Sequence, residues 1–351
     1  MAIGMFDTRA MMAMMESLVP PRTFLRDTFF PEVETPDTQF VDIDIRRGKR
    51  RMAAFVHPNH PGQVVRRDGY RTETYRPPYV KPKRVTTAED LLARTAGETI
   101  YGGKSPEERA REILAKDLME LDEMITRREE WMAAQALLTG QVRLVGDGVD
   151  DTVSFGLQST HDITLGSGSR FGDSGVDIVE VLRGWQLIPV KDCGIAPTDI
   201  VMGTKVWNAI RKDKTLLESL DCKNLNIGSV DPGLRTDGTI YLGYLSEVGC
   251  RLWTYAEWYL DDLDPDGSGL PKEKPMIPEN KLVMLSTGLR GVRLYGAVVD
   301  VTADGAALWT VPRAPKSWTE PDPSLRFLQM RSRPLLVPKE IDSVLVAVPV
   351  A

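Results

Sequence analysis

The chain has 351 residues, 42% of them hydrophobic and 27% charged. That is enough to bury a sizeable core in one large or two modest domains, and too balanced for a disordered protein. No apolar run approaches the ~20 residues of a membrane-spanning helix. Met1–Leu18 carries Asp7, Arg9 and Glu16 where a secretory signal would be basic and then continuously apolar, so cytoplasmic synthesis is expected. The formal net charge of -6 is unevenly spread. Between Gln39 and Val85 twelve basic residues oppose four acidic ones, a net +8, which leaves -14 for the rest.

In chain order, residues 1–38 read as an arm. A short helix is expected over Ala10–Leu18, closed by Pro20 and Pro21, and the apolar Phe24, Leu25, Phe29 and Phe30 follow in a stretch too short to enclose them. Such residues need a surface, either on a neighbouring molecule or on the same chain. Residues 39–85 form the basic segment. Phe40, Val41, Ile43 and Ile45 alternate with acidic residues up to a tip at Arg46–Lys49, Met52–Val56 is the expected return strand, and Gln63–Val65 with Tyr70–Tyr75 makes a second hairpin around Asp68-Gly69. Pro77, Pro78 and Pro82 then impose an extended exit. The ribbon holds too few apolar residues to support itself.

Ser105-Pro106-Glu107-Glu108 is a capping box with proline at the first helical position. It predicts a helix from Ser105 to about Leu138 that stops at Gly140. Leu114, Leu118, Leu121, Ile125, Met132 and Ala136 form a helical stripe, interrupted at Arg128. Glu112–Lys116 and Glu123–Arg127 have the spacing of helical ion pairs. A helix of that length, about 50 Å, serves as a scaffold spine. Strands are expected at Val142–Val145, Thr152–Leu157 and Asp162–Leu165, then a flexible Gly166–Ser174 connection and a helix over Val176–Ile188. A mixed block extends to Val298. A proline-rich passage, Pro312–Pro323, precedes strands at Leu325–Arg331 and Val344–Val348. The class is α+β.

No motif points to catalysis. Cys193, Cys222 and Cys250 are odd in number and far apart, which argues against disulfides, and His57, His60 and His161 are a thin supply for zinc or acid–base work. Asp262, Asp264, Asp266, Gly267 and Glu273 match the written pattern of a calcium loop. However, Leu252–Tyr259 is a poor entering helix, and Pro271, Pro275 and Pro278 deny an exiting one, so a solvated hairpin loop is expected. Gly166–Gly172 lacks the lysine of a phosphate loop. No metal or cofactor is expected. Three readings of the +8 segment stand open on charge alone: nucleic-acid binding, docking on the acidic body of a neighbouring copy, or a solvated ribbon.

Phe24-Leu25-Arg26 with Phe29-Phe30, and Pro78-Tyr79-Val80-Lys81-Pro82-Lys83, resemble the capsid protein E family, the major capsid proteins of lambda-like tailed phages. So do Gly288–Gly296 and the stretch from Pro315-Lys316-Ser317-Trp318 to Pro334-Leu335-Leu336. The resemblance runs from arm to C-terminus in one order. It implies the Hong Kong 97 capsid fold: an arm (1–38), an extended loop (39–85), a peripheral domain (86–175, with a spine helix over 105–139, completed by 299–351) and an axial domain (176–298). The function implied is mechanical. Copies would form hexamers and pentamers that close into an icosahedral head around double-stranded DNA, held without sequence-specific binding. A separate scaffolding protein, a portal and a decoration protein would be partners, and no lysine–asparagine weld between subunits is expected. The interface residues expected are Phe24, Phe29 and Phe30 of the arm and Arg46, Arg47, Lys49, Arg50, Arg51, Arg66, Arg67 and Arg71 of the ribbon. The rival is a nucleic-acid-binding protein that uses the same basic residues.

Overall fold

A computed structural model describes residues 6–17, 23–46, 52–53, 55–57, 59–61, 64, 70–92, 105–213, 216, 220–221, 238–261, 271–302 and 305–351. Its helices are α1 (Thr8–Ser17), α2 (Phe24–Phe29), α3 (Ala88–Leu92), α4 (Pro106–Thr139), α5 (Ile178–Asp192) and α6 (Thr204–Ile210).

The spine α4 has 34 residues and forms as its ends dictate. Ser105 Oγ accepts from the Glu108 N–H while the Glu108 carboxylate accepts from the Ser105 N–H, closing the capping box. Gly140 ends the helix in the left-handed region at φ 64°, which only glycine adopts cheaply. All six stripe residues are buried. Lys116 meets Glu120 four residues on at 3.8 Å.

The centre is a seven-stranded sheet in the order Asp162–Thr164, Leu345–Val348, Leu282–Leu285, Asp199–Met202, Cys250–Tyr255, Thr239–Leu245, Leu220–Asp221. Alternation along its strands divides the core in two. Val201, Trp253, Tyr255, Val283, Leu285 and Val346 join the core with α2 and the C-terminal half of α4. Ile200, Met202, Cys250, Leu252, Leu282, Met284, Leu345 and Ala347 face the other way, into a core shared with α5 and α6. A third, smaller cluster packs Met11 of α1 against Leu114, Leu118, Leu121 and Ile125 of α4 and against Leu328 and Met330. Those last two belong to the strand Leu325–Arg331, which lies between Ala314–Glu320 and Lys83–Thr87 in an antiparallel sheet.

Phe24–Phe29 is a helix, for which no expectation was made. Two expectations need correction. The basic segment has one described hairpin root where two hairpins were expected. Val41–Arg46 pairs with Tyr70–Tyr75, from Val41 opposite Tyr75 to Arg46 opposite Tyr70, and Met52, Ala53, Phe55 and Val56 form no strand. The connection at Gly166–Ser174 is pinned, since Asp173 Oδ2 accepts from the Gly168 and Arg170 N–H groups and Phe171 stacks on Trp185 with centroids 5.7 Å apart. Within the proline-rich passage Ala314–Glu320 is a regular strand, and Pro334–Pro338 is a further strand that pairs with Gly291–Tyr295.

Candidate functional site

The ribbon is rooted in the core and leaves it quickly. Val41 and Ile43 are buried, and Tyr75 packs against the same core. Burial and then a hydrogen bond to Asp151 push the Tyr75 hydroxyl well above the usual phenol range. Farther along, Met52 is 93% exposed and Val64 91%, and Phe55 is fully exposed. Such exposed apolar groups are available to a second surface.

Both ends of this root are tied to one side chain, Arg333, which is 2% exposed. Its Nε donates to the Pro77 carbonyl at 2.9 Å, and its Nη1 donates to the Ala297 carbonyl at 3.2 Å and to Gln39 Oε1 at 3.3 Å. Its guanidinium also lies 4.6 Å from the Tyr79 ring centroid. Arg76 donates to the same Gln39 oxygen at 2.5 Å. Gln39 precedes the ribbon and Pro77 follows it, so Arg333 fixes where the ribbon departs.

Of the expected basic interface residues, Arg47, Lys49, Arg50, Arg51, Arg66 and Arg67 lie outside the described residues. Arg46 and Arg71 occupy paired positions on the two ribbon strands, opposite Tyr70 and Ile45. The basic residues of the exit segment serve the chain itself. Arg84 is ion-paired with Glu120 of the spine, and Lys83 lies over the Phe327 ring at 5.6 Å.

The arm phenylalanines take the same-chain alternative. Phe24, Phe29 and Phe30 are 4%, 1% and 0% exposed, and Phe24 contacts Trp253 and Tyr255 at ring distances of 5.3 and 5.8 Å. In this conformation they hold the arm to its own body and have no free surface to offer a neighbour.

Beneath them lies a charge network that the sequence reading missed. The Glu130 carboxylate accepts from the Leu25 and Arg26 N–H groups at 2.9 and 2.8 Å and from the Tyr255 hydroxyl at 2.6 Å. The two amides are orphan donors at the start of α2, supplied with an acceptor from the spine. Burial pushes the Glu130 carboxyl up, and those three hydrogen bonds only partly offset it. Glu129, 0% exposed, sits between Arg26 at 3.0 Å and Arg313 at 2.7 Å. Burial works against the Arg313 charge, but Glu129, Tyr295 and Asp122 hold its guanidinium above its ordinary value. The gap at Arg128 in the apolar stripe, followed by two adjacent glutamates, was the visible signal. Their partners are remote in sequence.

Among the described residues no group of three or more His, Cys, Asp or Glu side chains could hold a metal. The His57 and His60 rings meet edge-on at 5.8 Å. His161 is buried, with Nδ1 2.8 Å from the Val344 carbonyl and Nε2 2.8 Å from Asp192. The calcium-like loop lies mostly outside the described residues. Its flanks are the strands Trp258–Asp261 and Lys272–Pro275, paired antiparallel, so no calcium-site helix flanks it.

A capped spine under a divided sheet, with a ribbon and an arm at its side, is the architecture of Hong Kong 97-like capsid proteins. The chain superposes on a crystal structure described as a prophage capsid protein of Escherichia coli CFT073 with TM-score 0.73, at 22% identity, covering 98% of this chain and 99% of that one. It superposes on the capsid subunit of cyanophage A-1(L) with TM-score 0.51, at 12% identity over 95% and 94% of the two chains. Residues 7–348 match the family described as phage major capsid protein E, and the chain belongs to that family. It is 29% identical to the major capsid protein of enterobacteria phage P21, over 98% of this chain and 99% of the relative. It is 27% identical to that of Escherichia phage lambda, over 92% and 94%. These matches bear out the capsid reading and give no support to the nucleic-acid-binding rival. The protein is a major capsid protein, a self-associating structural subunit of the virion.

Proposed function

We propose that the subunit forms hexamers and pentamers that close into an icosahedral head around double-stranded DNA, with residues 39–85 as the extended loop that reaches across an adjacent copy. The observation that carries this is the contrast along the ribbon. Val41 and Ile43 are buried at its root, whereas Met52, Phe55 and Val64 stand in water farther out. Arm (1–38), peripheral (86–175 with 299–351) and axial (176–298) regions complete the assignment. The three cores support it in part: one centres on α5 and α6, and two lie along the spine. The +8 of residues 39–85 against -14 elsewhere favours a neighbour's body over DNA as the ribbon's target and gives the contact its register. The interface residues in this reading are Arg46, Arg47, Lys49, Arg50, Arg51, Arg66, Arg67 and Arg71. Scaffolding, portal and decoration proteins act as partners, synthesis is in the host cytoplasm, and the role involves no catalysis or cofactor.

Electron microscopy of the purified chain tests the shell: uniform particles, hexamers or tubes are expected, and persistent monomers with salt-sensitive DNA affinity would sink it. Changing Arg46, Arg47, Arg50 and Arg51 together to glutamate should leave a folded monomer that does not assemble. Normal particles from that variant would remove the ribbon contact.

A further inference from the structure

The strands Val298–Thr302 and Gly305–Trp309 form a separate two-stranded hairpin. Pairing sets Val299 opposite Leu308 and Val301 opposite Ala306, and alternation puts these four side chains on one face. That face is in water: Val301 is 79% exposed, Leu308 49% and Val299 37%, and Ala306 is exposed as well.

The other face is fastened. Asp300 accepts from Lys316 at 2.5 Å and from Arg331 at 2.9 Å, and Val298 is buried. The Val299 N–H donates to the Tyr79 hydroxyl at 3.2 Å. The hairpin is therefore preformed on the body and turns an aliphatic face outward. Single exposed aliphatic residues are ordinary on any protein. A contiguous set on a fastened two-stranded element, with no further strand paired to it among the described residues, is not.

We propose that this face is a contact between subunits, covered in the assembled shell by a second copy of the chain. The proposal rests on the shell-building reading. Four small side chains fall far short of the roughly 800 Å² per partner of a stable pairwise interface, so the face would not hold two free subunits together. A contact of that size counts where other contacts already fix the neighbour and where it recurs in every copy, which a closed shell of identical subunits provides. Its four side chains carry no charge and no hydrogen-bonding group, so they offer nothing to select a chemically different partner. Because the hairpin is already ordered, covering it loses little conformational freedom.

The test compares wild type with Val301→Asp/Leu308→Asp and with the conservative Val301→Ile. All three should be folded subunits with unchanged circular dichroism, since the substituted side chains already lie in water. Particle yield by electron microscopy and light scattering should fall at least tenfold in the double variant and stay at the wild-type level in Val301→Ile. Wild-type yield from the double variant overturns the proposal. It is overturned equally if those particles have lost only a different bound protein, which would give the face to that protein. A second measurement needs no substitution. Hydroxyl-radical labelling of Val301 and Leu308 should drop several-fold between free wild-type subunits and purified particles, and equal labelling overturns the contact. If wild type persists as monomers, with neither particles, hexamers nor tubes, the shell reading fails and this contact fails with it.

Discussion

Arg313 grips Glu129 with two nitrogens: Nη1 donates to Oε1 at 2.7 Å and Nη2 to Oε2 at 3.1 Å. Arg26 reaches the same carboxylate from the arm at 3.0 Å. One spine residue thus joins the chain's two ends. Removing one partner of such a buried set leaves the others uncompensated, which typically costs about 3–5 kcal/mol. Glu129→Ala should therefore lower subunit stability by about that much in urea unfolding. Asp122→Asn, at the 20% exposed edge of the network and with an amide oxygen that still accepts from Arg313, should cost clearly less. Equal losses in the two variants would mean that Glu129 is not the centre of the network.

Two carboxyls set opposite pH slopes. Glu130 is pushed up by burial, so above its ordinary value of 4.5 the folded chain holds a proton that the unfolded chain has released. Its contribution is present below that value and is lost as pH rises through the folded pKa. At Asp300 burial is outweighed by hydrogen bonds from Arg331 and Lys316, which bring the carboxyl down from 3.8 to about 2. That contribution is present above 3.8 and disappears as pH falls toward 2. Urea midpoints across pH 2–8 should show both slopes, the first absent in Glu130→Gln and the second in Asp300→Asn. A variant that keeps the wild-type slope refutes its assignment.

Gly291 tests how closely the arm is seated. A Cβ there would overlap the Phe29 carbonyl and the Phe30 ring, so Gly291→Ala must push α2 off the strand Gly291–Tyr295. The expected result is a folded chain whose arm is cut early in limited proteolysis, with cleavage between Ser17 and Glu32. Wild-type protease resistance would show that the arm can shift without detaching.

These cases mark how far the sequence could be read. The spine was legible because both of its ends are local: Ser105, Pro106 and Glu108 lie within one turn, and Gly140 terminates the helix by its own backbone freedom. The ribbon register was not legible. Local turn chemistry favoured Met52–Val56 as the return for Val41–Ile45, but Val41 and Ile43 face the core and pair with Tyr75 and Glu73, a choice made by the body beneath them. The apolar stripe breaks at Arg128, next to Glu129, and that break was the only local sign of the network. Arg26 and Arg313 stand 103 and 184 residues away from it, and no spacing rule connects positions so distant. The family likeness gave the fold and the class of function. It could not say that the arm phenylalanines are spent inside the chain's own core.

Arg333 gives the most direct test of ribbon control. It is buried, and the carbonyls of Pro77 and Ala297 and the Gln39 side chain take its donors, so the ribbon's two ends are fixed by one planar group. Burial pulls its charge below the ordinary arginine value, with the Tyr79 hydroxyl working the other way. Lysine at this position would bring one ammonium in place of the fork and could not span three acceptors on different segments. Both Arg333→Lys and Arg333→Met should therefore free the root. Hydrogen exchange should rise at least tenfold in the amides of Val41–Arg46 and Tyr70–Tyr75, while Asp199–Met202 and Leu282–Leu285 in the central sheet keep their protection. If Arg333→Lys exchanges like wild type, charge alone holds the root and the fork is dispensable. If the central sheet loosens as well, Arg333 is a core residue and does not specifically anchor the ribbon.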